Sequence, residues 1–386
     1  MDNNTIRVLK GPDRVRKRPA VIFGSNGKEG AVQAVKMVLS IFINEAVKGH
    51  CDGISLQLLN EKTVRITSCD RGFLINDTEV DGHPEWYYSF CEMYPAPRKP
   101  SESSNIYEVG SDGDTLYAKQ ETLPKFRFST SAGLDICCVQ YASDNMVIRS
   151  IRDGKDKVLH FRQGVFIKKE QGPCQEPSRT EVTFKLDQEV FGEYTLSCDD
   201  FRDYLRAAAV TVKGLKCYLC DKETKQFEEY FYDNGAVDYI KESTSEPVLI
   251  FQNEIEACGR ERYNHNEYSA RLKITVGLKK DTSETLRFHN FKLKTGIGPI
   301  ATIIKEEILL TVKRALRAEL TPSELENNLI LLIESNCEPF FTDYLDSKRQ
   351  RVNNRLLKEM AEDVACQKFY EFLTENKEQL KEIFGK

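Results

Sequence analysis

The sequence predicts an α+β fold made of two domains. Segments with helical periodicity and segments with strand alternation follow one another in blocks, and they do not repeat as strand–helix–strand units. The length of 386 residues favours two domains over one. With 40% hydrophobic and 30% charged residues, the chain has the composition of a globular protein with an ordinary core.

The first half is predicted to start with a long helix and a hairpin. Apolar residues recur at helical spacing over residues 29–48, and Gly49 is a suitable stop. Two alternating runs around Asn60-Glu61-Lys62, at 54–58 and 64–66, indicate paired strands.

A long loop and further strands should follow. Residues 94–115 are rich in Pro, Ser, Gly and Asp, which predicts a loop, and loops of that length are commonly functional or disordered. Strand-like sequence returns at 145–167, with a turn at Arg152-Asp153-Gly154-Lys155, and again at 179–186.

The alternation lapses between 186 and 195, which places a domain boundary there and predicts domains 1–190 and 191–386. The predicted elements of the second half are a helix at 199–209, strands at 214–221, 227–232, 268–278 and 284–292, a helix at 299–317 and a helical region at 346–384.

Charge and cysteine content indicate a cytoplasmic protein whose overall charge does not attract nucleic acid. The formal net charge is −5, so any contact with DNA must be local. No apolar run near 18 residues and no signal peptide are evident, so no membrane partner is expected. The twelve cysteines are interpreted as reduced structural thiols, and the Cys217/Cys220 pair lacks the second pair that a zinc site would need.

The stretch Ile6 to Gly24, IRVLKGPDRVRKRPAVIFG, resembles the opening of the ATPase subunit of bacterial type II topoisomerases, DNA gyrase B and its topoisomerase IV counterpart. Weaker similarity continues through Arg179–Phe184, Leu205–Lys222 and Phe288–Gly298. The resemblance implies a Bergerat-type ATPase sandwich (GHKL, gyrase/Hsp90-like) followed by a ribosomal-S5-domain-2-like transducer domain. The family hydrolyses ATP to change DNA topology. The chain is expected to lack the family's cleavage domain and nearly all of its N-terminal arm.

The family's catalytic positions carry apolar side chains here. The stretch Asn44 to Cys51 matches the family's Asp-Glu-Ala-x-x-Gly-His-Cys, which places the general base at Met37 and the magnesium ligand at Ile41. Neither side chain can abstract a proton or ligate a hard cation. A register with Asn44 as ligand would make Ser40 the base and lose the Gly-His-Cys match.

The adenine-reading segment is also altered. The family's aspartate falls on Ser68, and its first glycine has become Asp70. On a strand Asp70 shares a face with Ser68 about 7 Å away, where it would conflict with a nucleotide. The interpretation that we favour makes Asp70-Arg71 a surface turn pair. Thr180 resembles the threonine that holds adenine through water, and it is equally well explained as a strand residue.

The phosphate-binding parts are reduced as well. Of the family's glycine-rich lid, only Gly133 remains in Thr130–Ile136, and Asp135 puts a negative charge there. Lys348 is the nearest candidate for the lysine that reaches the γ-phosphate, at an unusual spacing. The matching residues Glu45, Arg71, Gly72, Arg152 and Thr180 mostly have structural roles in the family.

Two functions remain open at this stage. The first is a non-hydrolysing relative that binds topoisomerase subunits or a second copy of itself, without cofactor or metal. The second is a divergent relative that uses ATP and magnesium in DNA topological change. By resemblance, nucleotide contacts would fall to Arg71, Gly72, Gly133, Arg152, Thr180 and Lys348. Lys279, Lys280, Arg314 and Arg317 could contact DNA, although exposed basic residues are more often only solvated. A cleft filled by side chains is favoured over one that holds a small apolar ligand.

Overall fold

The computed structural model of the protein describes residues 9, 11–93, 107–109, 116–118, 135–242, 248–260, 267–289, 292–294, 298–337, 343–345 and 351–386. Its contacts divide the chain into two compact units. The first unit comprises the chain up to Arg206 together with Leu215–Tyr230. The second unit contains Ala207–Gly214 and Phe231–Lys386.

The first unit is built on an eight-stranded sheet. Its helices are α1 (Asp13–Arg16), α2 (Pro19–Phe23), α3 (Lys28–Val47), α4 (Glu85–Phe90), α5 (Asp135–Tyr141), α6 (Gln188–Phe191) and the start of α7 (Arg202–Thr211). Its strands are β1 (Gly53–Asn60), β2 (Thr63–Ser68), β3 (Glu79–Val80), β4 (His83–Pro84), β5 (Tyr107–Val109), β6 (Leu116–Ala118), β7 (Ser143–Arg152), β8 (Lys155–Arg162), β9 (Val165–Pro173), β10 (Arg179–Leu186), β11 (Lys216–Asp221) and β12 (Phe227–Tyr230). The strand order of the large sheet is β12-β11-β1-β2-β10-β7-β8-β9.

One face of this sheet forms the core. Ile54, Leu56 and Leu58 alternate with less buried residues along β1, as a sheet with one covered face requires. Strand β11 pairs in parallel with β1, with Gly53 opposite Lys216. The first sheet therefore continues past residue 190, where the alternation of the sequence lapses, because β11 and β12 return to it later in the chain.

Helix α3 is the central helix of the first unit. It packs against α2 and α5, and its Val38, Leu39 and Phe42 side chains are fully buried. By length and composition alone α3 would be long and apolar enough to cross a membrane, contrary to our expectation that no such run exists; 61% of its apolar window is buried in the protein.

The short helix α4 packs against the hairpin of β8 and β9 through its tryptophan. Its Trp86 is 5% exposed, and its ring lies 4.9 Å from that of Phe166 on β9, centroid to centroid. Phe166 also contacts Phe161 of β8. This aromatic group anchors α4 to the hairpin of β8 and β9.

The second unit has a five-stranded sheet covered by helices. Its elements are the end of α7, α8 (Ala236–Glu242), β13 (Leu249–Arg260), β14 (Glu267–Leu278), β15 (Thr282–His289), β16 (Lys292–Leu293), α9 (Pro299–Leu316), α10 (Pro322–Glu326), β17 (Asn328–Cys337), β18 (Asp343–Tyr344), β19 (Val352–Asn353), α11 (Arg355–Glu362), α12 (Gln367–Glu375) and α13 (Lys377–Phe384). The sheet order is β13-β14-β17-β15-β16. Helices α9, α11, α12 and α13 bury the sheet face that carries Leu272, Ile274 and Leu331.

Several elements differ from the sequence prediction. Strands β5 and β6 form a hairpin, and β5 lies in the predicted loop at 94–115; the rest of that loop lies outside the described residues. Strands β13 and β17 were not predicted, and of β9 only residues 165–167 fell within a predicted strand segment. The predicted helical region at 346–384 is three helices from Arg355 on, preceded by β19.

Candidate functional site

A buried carboxylate lies just beyond the end of β2. Asp70 is only 7% exposed, and its Oδ1 accepts hydrogen bonds from the Gly72 N–H and the Thr180 hydroxyl, both at 2.9 Å. Burial raises the pKa of Asp70, although the hydrogen bonds from Gly72, Thr180 and Ser68 act in the opposite direction. The interpretation of Asp70 as a surface turn residue was therefore wrong, because neighbouring strands enclose it.

The pairing of β2 with β10 explains this arrangement. Thr180 lies directly opposite Ser68, so its side chain is beside the chain segment that leaves β2. Its hydroxyl donates to Asp70 and accepts from the Phe73 N–H at 3.1 Å. Thr180 is fully buried, and its described hydrogen bonds hold the turn after β2 against the sheet.

Ser68 faces a thiol. Its Oγ lies 3.2 Å from the Sγ of Cys51, and both side chains are buried. Burial raises the pKa of Cys51 to about 11, so the thiol is protonated at neutral pH and a poor nucleophile. The Cys51 thiol is therefore a packing group and not an activated one.

Gly72 makes a backbone contact that a larger residue could not make. Its φ is +78°, and a Cβ there would lie 2.4 Å from the carbonyl oxygen of Ile151 on β7. Arg152 Nη1 donates to the Gly72 carbonyl at 3.0 Å, and Ser150 Oγ donates to that of Phe73 at 2.8 Å. Gly72 and Arg152 thus bind each other and fix the turn on β7.

Arg71 is held by the C-terminal end of α3. Its Nη2 lies 2.9 Å from Oε2 of Glu45, whose Oε1 also pairs with Lys48 Nζ at 2.9 Å. Burial of Glu45 opposes ionisation, but the hydrogen bond and charge of Lys48 and the charge of Arg71 outweigh it and lower the pKa of Glu45. These residues connect α3 to the turn after β2.

The face of α3 with the family's catalytic positions is apolar. Met37 is 7% exposed and Ile41 is partly buried. The ring of Phe42 stacks on that of Phe73 at 5.6 Å, and Phe73 contacts Phe90 of α4 at 5.7 Å. Phe42, Phe73 and Phe90 therefore form a continuous chain of aromatic contacts from α3 through the turn after β2 to α4.

The side chains of three predicted site residues are not among those that the structure describes. Gly133 and Lys348 lie outside the described residues, and Asp135 begins α5 without a described side chain. In the described part of the chain, no group of three or more His, Cys, Asp or Glu side chains is arranged to hold a metal ion.

The basic residues singled out in the second unit lie near its surface. Lys280 and Arg317 are exposed, and Lys279 is half-buried. The Arg314 guanidinium lies 4.4 Å from the ring centroid of Tyr370, a cation–π contact that holds it against α12.

The structure adds Phe73 to the site, and it places Cys51, which the sequence had used only as the end of the Asn44–Cys51 motif, beside Ser68. Phe73 follows the Asp70-Arg71-Gly72 segment directly, so a large aromatic residue after that turn is the signal that could have identified it. The contact of Cys51 with Ser68 could not be predicted from the sequence, because it depends on the fold.

Curated proteins similar to this chain are bacterial and archaeal topoisomerase subunits. The chain is 29% identical over 245 residues to the DNA gyrase B protein of Thermotoga maritima, covering 61% of this chain and 34% of the relative. It is 22% identical over 408 residues to the DNA gyrase B protein of Helicobacter pylori (100% and 48%). It is 23% identical over 321 residues to the B protein of DNA topoisomerase 4 from Enterococcus faecalis (76% and 43%). The matches span less than half the length of these relatives. No protein-family model matches the chain.

Solved structures give the same result for the fold. The 43K ATPase domain of Thermus thermophilus gyrase B superposes with a TM-score of 0.72 at 19% identity, covering 99% of this chain and 95% of that one. The topoisomerase IV ATP-binding domain of Francisella tularensis gives 0.64 at 13% identity, with 98% and 96% covered. The predicted fold class is confirmed, and the chain resembles the N-terminal ATPase region of the gyrase and topoisomerase IV B proteins.

Proposed function

We propose that this protein is a relative of the type II topoisomerase ATPase subunit that neither binds nor hydrolyses ATP and acts by binding topoisomerase subunits or a second copy of itself. The supporting observation is the side-chain chemistry of the candidate site. Asp70 accepts the hydrogen bonds of Gly72 and Thr180, two of the groups that the resemblance assigns to nucleotide.

The described residues do not fit magnesium or a hydrolytic base. Magnesium requires oxygen ligands, whereas Met37 and Ile41 offer none. General-base catalysis contributes about 10²–10⁴ in rate. The Glu45 carboxylate, four residues after Ile41 on α3, is already paired with Arg71 and Lys48. Arg71 and Arg152 are engaged by Glu45 and Gly72.

Calorimetric titration with a non-hydrolysable ATP analogue and magnesium tests the proposal. We expect no binding to the wild-type chain, and micromolar affinity would overturn the proposal. The matched variant is Ser68→Asp/Asp70→Gly, which restores the family's residues. Binding by this variant but not by the wild type would show that the residues at positions 68 and 70 block an otherwise competent scaffold.

A second candidate is a divergent relative that takes part in ATP-dependent topoisomerase action. The retained contacts among Glu45, Arg71, Gly72 and Arg152 favour it, because they preserve the frame around the site. Phosphate release should be measured for the chain alone and with DNA and the gyrase A protein. Turnover or supercoiling that vanishes in Asp70→Ala would support this candidate over the first.

The binding role itself is tested by partner capture. Purified topoisomerase subunits should co-elute with the chain in size-exclusion chromatography with light scattering, or the chain should elute as a dimer. Elution of the chain as a monomer, separate from those subunits, would contradict this role. DNA could bind through Lys279, Lys280, Arg314 and Arg317, and a Lys280→Gln/Arg317→Gln variant should then bind duplex DNA more weakly.

We also place the protein in the cytoplasm and away from membranes. All twelve cysteines are free thiols, which suits a reducing compartment. Fractionation of cells that produce the chain, with detection in the membrane pellet as the opposing outcome, checks this assignment.

A further inference from the structure

One edge of the large sheet in the first unit is open. Strand β9 is the last strand in the order of that sheet, and among the described strands only β8 pairs with it. Most of its residues are exposed, including Val165 and Ile167, which are 58% and 56% exposed. An exposed edge strand presents backbone N–H and C=O groups that can pair with another strand. The edge of β9 is therefore a candidate interface.

The pairing with β8 indicates which backbone groups of β9 face outward. The Cys174 N–H donates to the Gly154 carbonyl at 2.9 Å, directly beyond the ladder of β8 and β9. In an antiparallel pair, hydrogen-bonded and non-bonded positions alternate along the strand. Counting back from Cys174, Lys169 and Gln171 occupy non-bonded positions. Their N–H and C=O groups therefore point away from β8.

The side chains of β9 carry both signs of charge. Lys168 and Glu170 are two residues apart, so they lie on the same face of the strand, and they form an ion pair with each other. Lys169 lies on the opposite face, where its ammonium pairs with Asp77 and its side chain is 19% exposed. The charge of Lys169 is thus balanced within its own chain, and Lys168 and Glu170 remain to meet a neighbour.

These charges distinguish between the registers in which two β9 strands could pair. Because the outward groups of both copies must meet, an antiparallel pair near the middle of the strand is centred on Lys168, Lys169 or Glu170. A centre at Lys168 or at Glu170 brings two like charges together. A centre at Lys169 places Lys168 opposite Glu170 of the second copy, twice by symmetry. The two Lys169 residues then meet with their charges already balanced by Asp77.

The edge strands β12 and β13 lack this complementarity. Strand β12 carries Glu228 and Glu229, and β13 carries Glu254 and Glu256, while neither strand contains a lysine. Both strands have a net negative charge, which disfavours pairing with a second copy of the same edge.

We propose that two copies of this chain pair through the edges of β9, antiparallel and centred on Lys169, so that their large sheets become continuous. The inference rests on the part of the proposed function in which the chain binds a second copy, and it identifies the surface that does so. Strand β9 has nine residues, so the contact is at the small end of specific interfaces. The dimer should therefore be weak, with a micromolar or higher dissociation constant.

Charge reversal tests the register. Lys168 and Glu170 are 56% and 53% exposed, so their substitution should leave the fold intact. Lys168→Glu or Glu170→Lys alone places like charges opposite each other twice and should weaken the dimer about tenfold or more. The double variant Lys168→Glu/Glu170→Lys restores both pairs and should dimerise nearly as well as the wild type. Sedimentation equilibrium of the full chain over a range of concentrations measures all four proteins.

A backbone variant tests the strand pairing itself. Gln171→Pro removes an N–H that points away from β8, so it should prevent dimerisation and leave the ladder of β8 and β9 in place. Gln171→Ala keeps that N–H and is the matched control, which should still dimerise.

Two outcomes would overturn the interface. One is a wild-type chain that stays monomeric at every concentration, and the other is a dimer whose affinity neither the charge reversals nor Gln171→Pro changes. A monomer that still co-elutes with topoisomerase subunits would reject this interface and leave the proposed binding role intact. A dimer with unchanged affinity in these variants would do the same, because the second copy would then bind elsewhere.

Discussion

The Asp70 carboxylate is almost completely buried. Its hydrogen bonds determine how much stability is lost when the side chain is removed. Asp70→Ala should lower the free energy of unfolding by about 1–3 kcal/mol, because the donors of Gly72 and Thr180 lose their acceptor. Asp70→Asn should cost less, because its amide oxygen can still accept them. Urea unfolding followed by circular dichroism measures both, and equal losses would show that these hydrogen bonds contribute little.

The same residue predicts a dependence on pH. The pKa of Asp70 is higher in the folded protein than its ordinary value of 3.8. Above the raised pKa the buried charge destabilises the folded state in full, and this penalty disappears as the pH falls below 3.8. The wild type should therefore gain stability relative to Asp70→Asn as the pH is lowered from 7 towards 4. A constant difference would contradict the raised pKa.

Gly72 allows the backbone contact with β7 to be isolated. Gly82 has a similar φ of +83°, but a Cβ at Gly82 would have no neighbouring atom within 4 Å, whereas one at Gly72 would meet the Ile151 oxygen at 2.4 Å. Both Gly→Ala changes carry the cost of a left-handed backbone, and Gly72→Ala adds a steric clash. It should be less stable than Gly82→Ala by about 1–3 kcal/mol in urea unfolding. Equal stability would mean that the turn can move away from β7.

At the residue scale, the sequence could identify substituted positions but not the contacts that their side chains make. The substituted positions Met37, Ile41 and Ser68 could be identified from matching motifs. The burial of Asp70 could not, because Thr180 reaches it from a strand 110 residues later in the chain. Whether these substitutions abolish nucleotide binding stays a prediction.

Among the elements, β14 and β17 share a buried ion pair. Lys273 Nζ lies 3.0 Å from Glu334 Oε1, with side-chain exposures of 7% and 4%. Burial raises the pKa of Glu334, and the charge of Lys273 partly offsets this effect. Lys273→Met should cost about 3–5 kcal/mol, because it leaves the carboxyl group buried without its cation.

The double variant Lys273→Met/Glu334→Leu is the matched control for this pair. It should recover much of the lost stability, since apolar pairs of similar volume often replace a buried ion pair at little cost. Urea midpoints of both variants decide the matter. A double variant as unstable as the single one would assign the loss to packing instead.

Helices and strands with one face in the core and one in solvent were predicted from the sequence. Strands with two similar faces were not. The helix at 29–48 and the hairpin at 54–66 are confirmed as α3 and the β1–β2 pair, because each alternates between core and solvent. Strand β17 is buried on both faces and β9 is largely exposed on both, so neither shows a period of two.

For the whole molecule, the return of β11 to the first sheet has a consequence for truncation. Cys217 and Leu219 on β11 are fully buried beside β1. A fragment of residues 1–190 loses this pairing, whereas 1–230 keeps it. The shorter fragment should be less stable by about 3 kcal/mol or more, from the lost apolar burial alone. Equal urea midpoints would place the boundary near 190 after all.

Trp86 is the single tryptophan of the chain, and it is packed against Phe166 in the first unit. Indole fluorescence therefore reports on that unit alone, without labelling. Circular dichroism observes the helices of both units. Recording the two signals on one denaturation series gives two midpoints for one sample, and their separation measures how independently the two halves of the chain unfold.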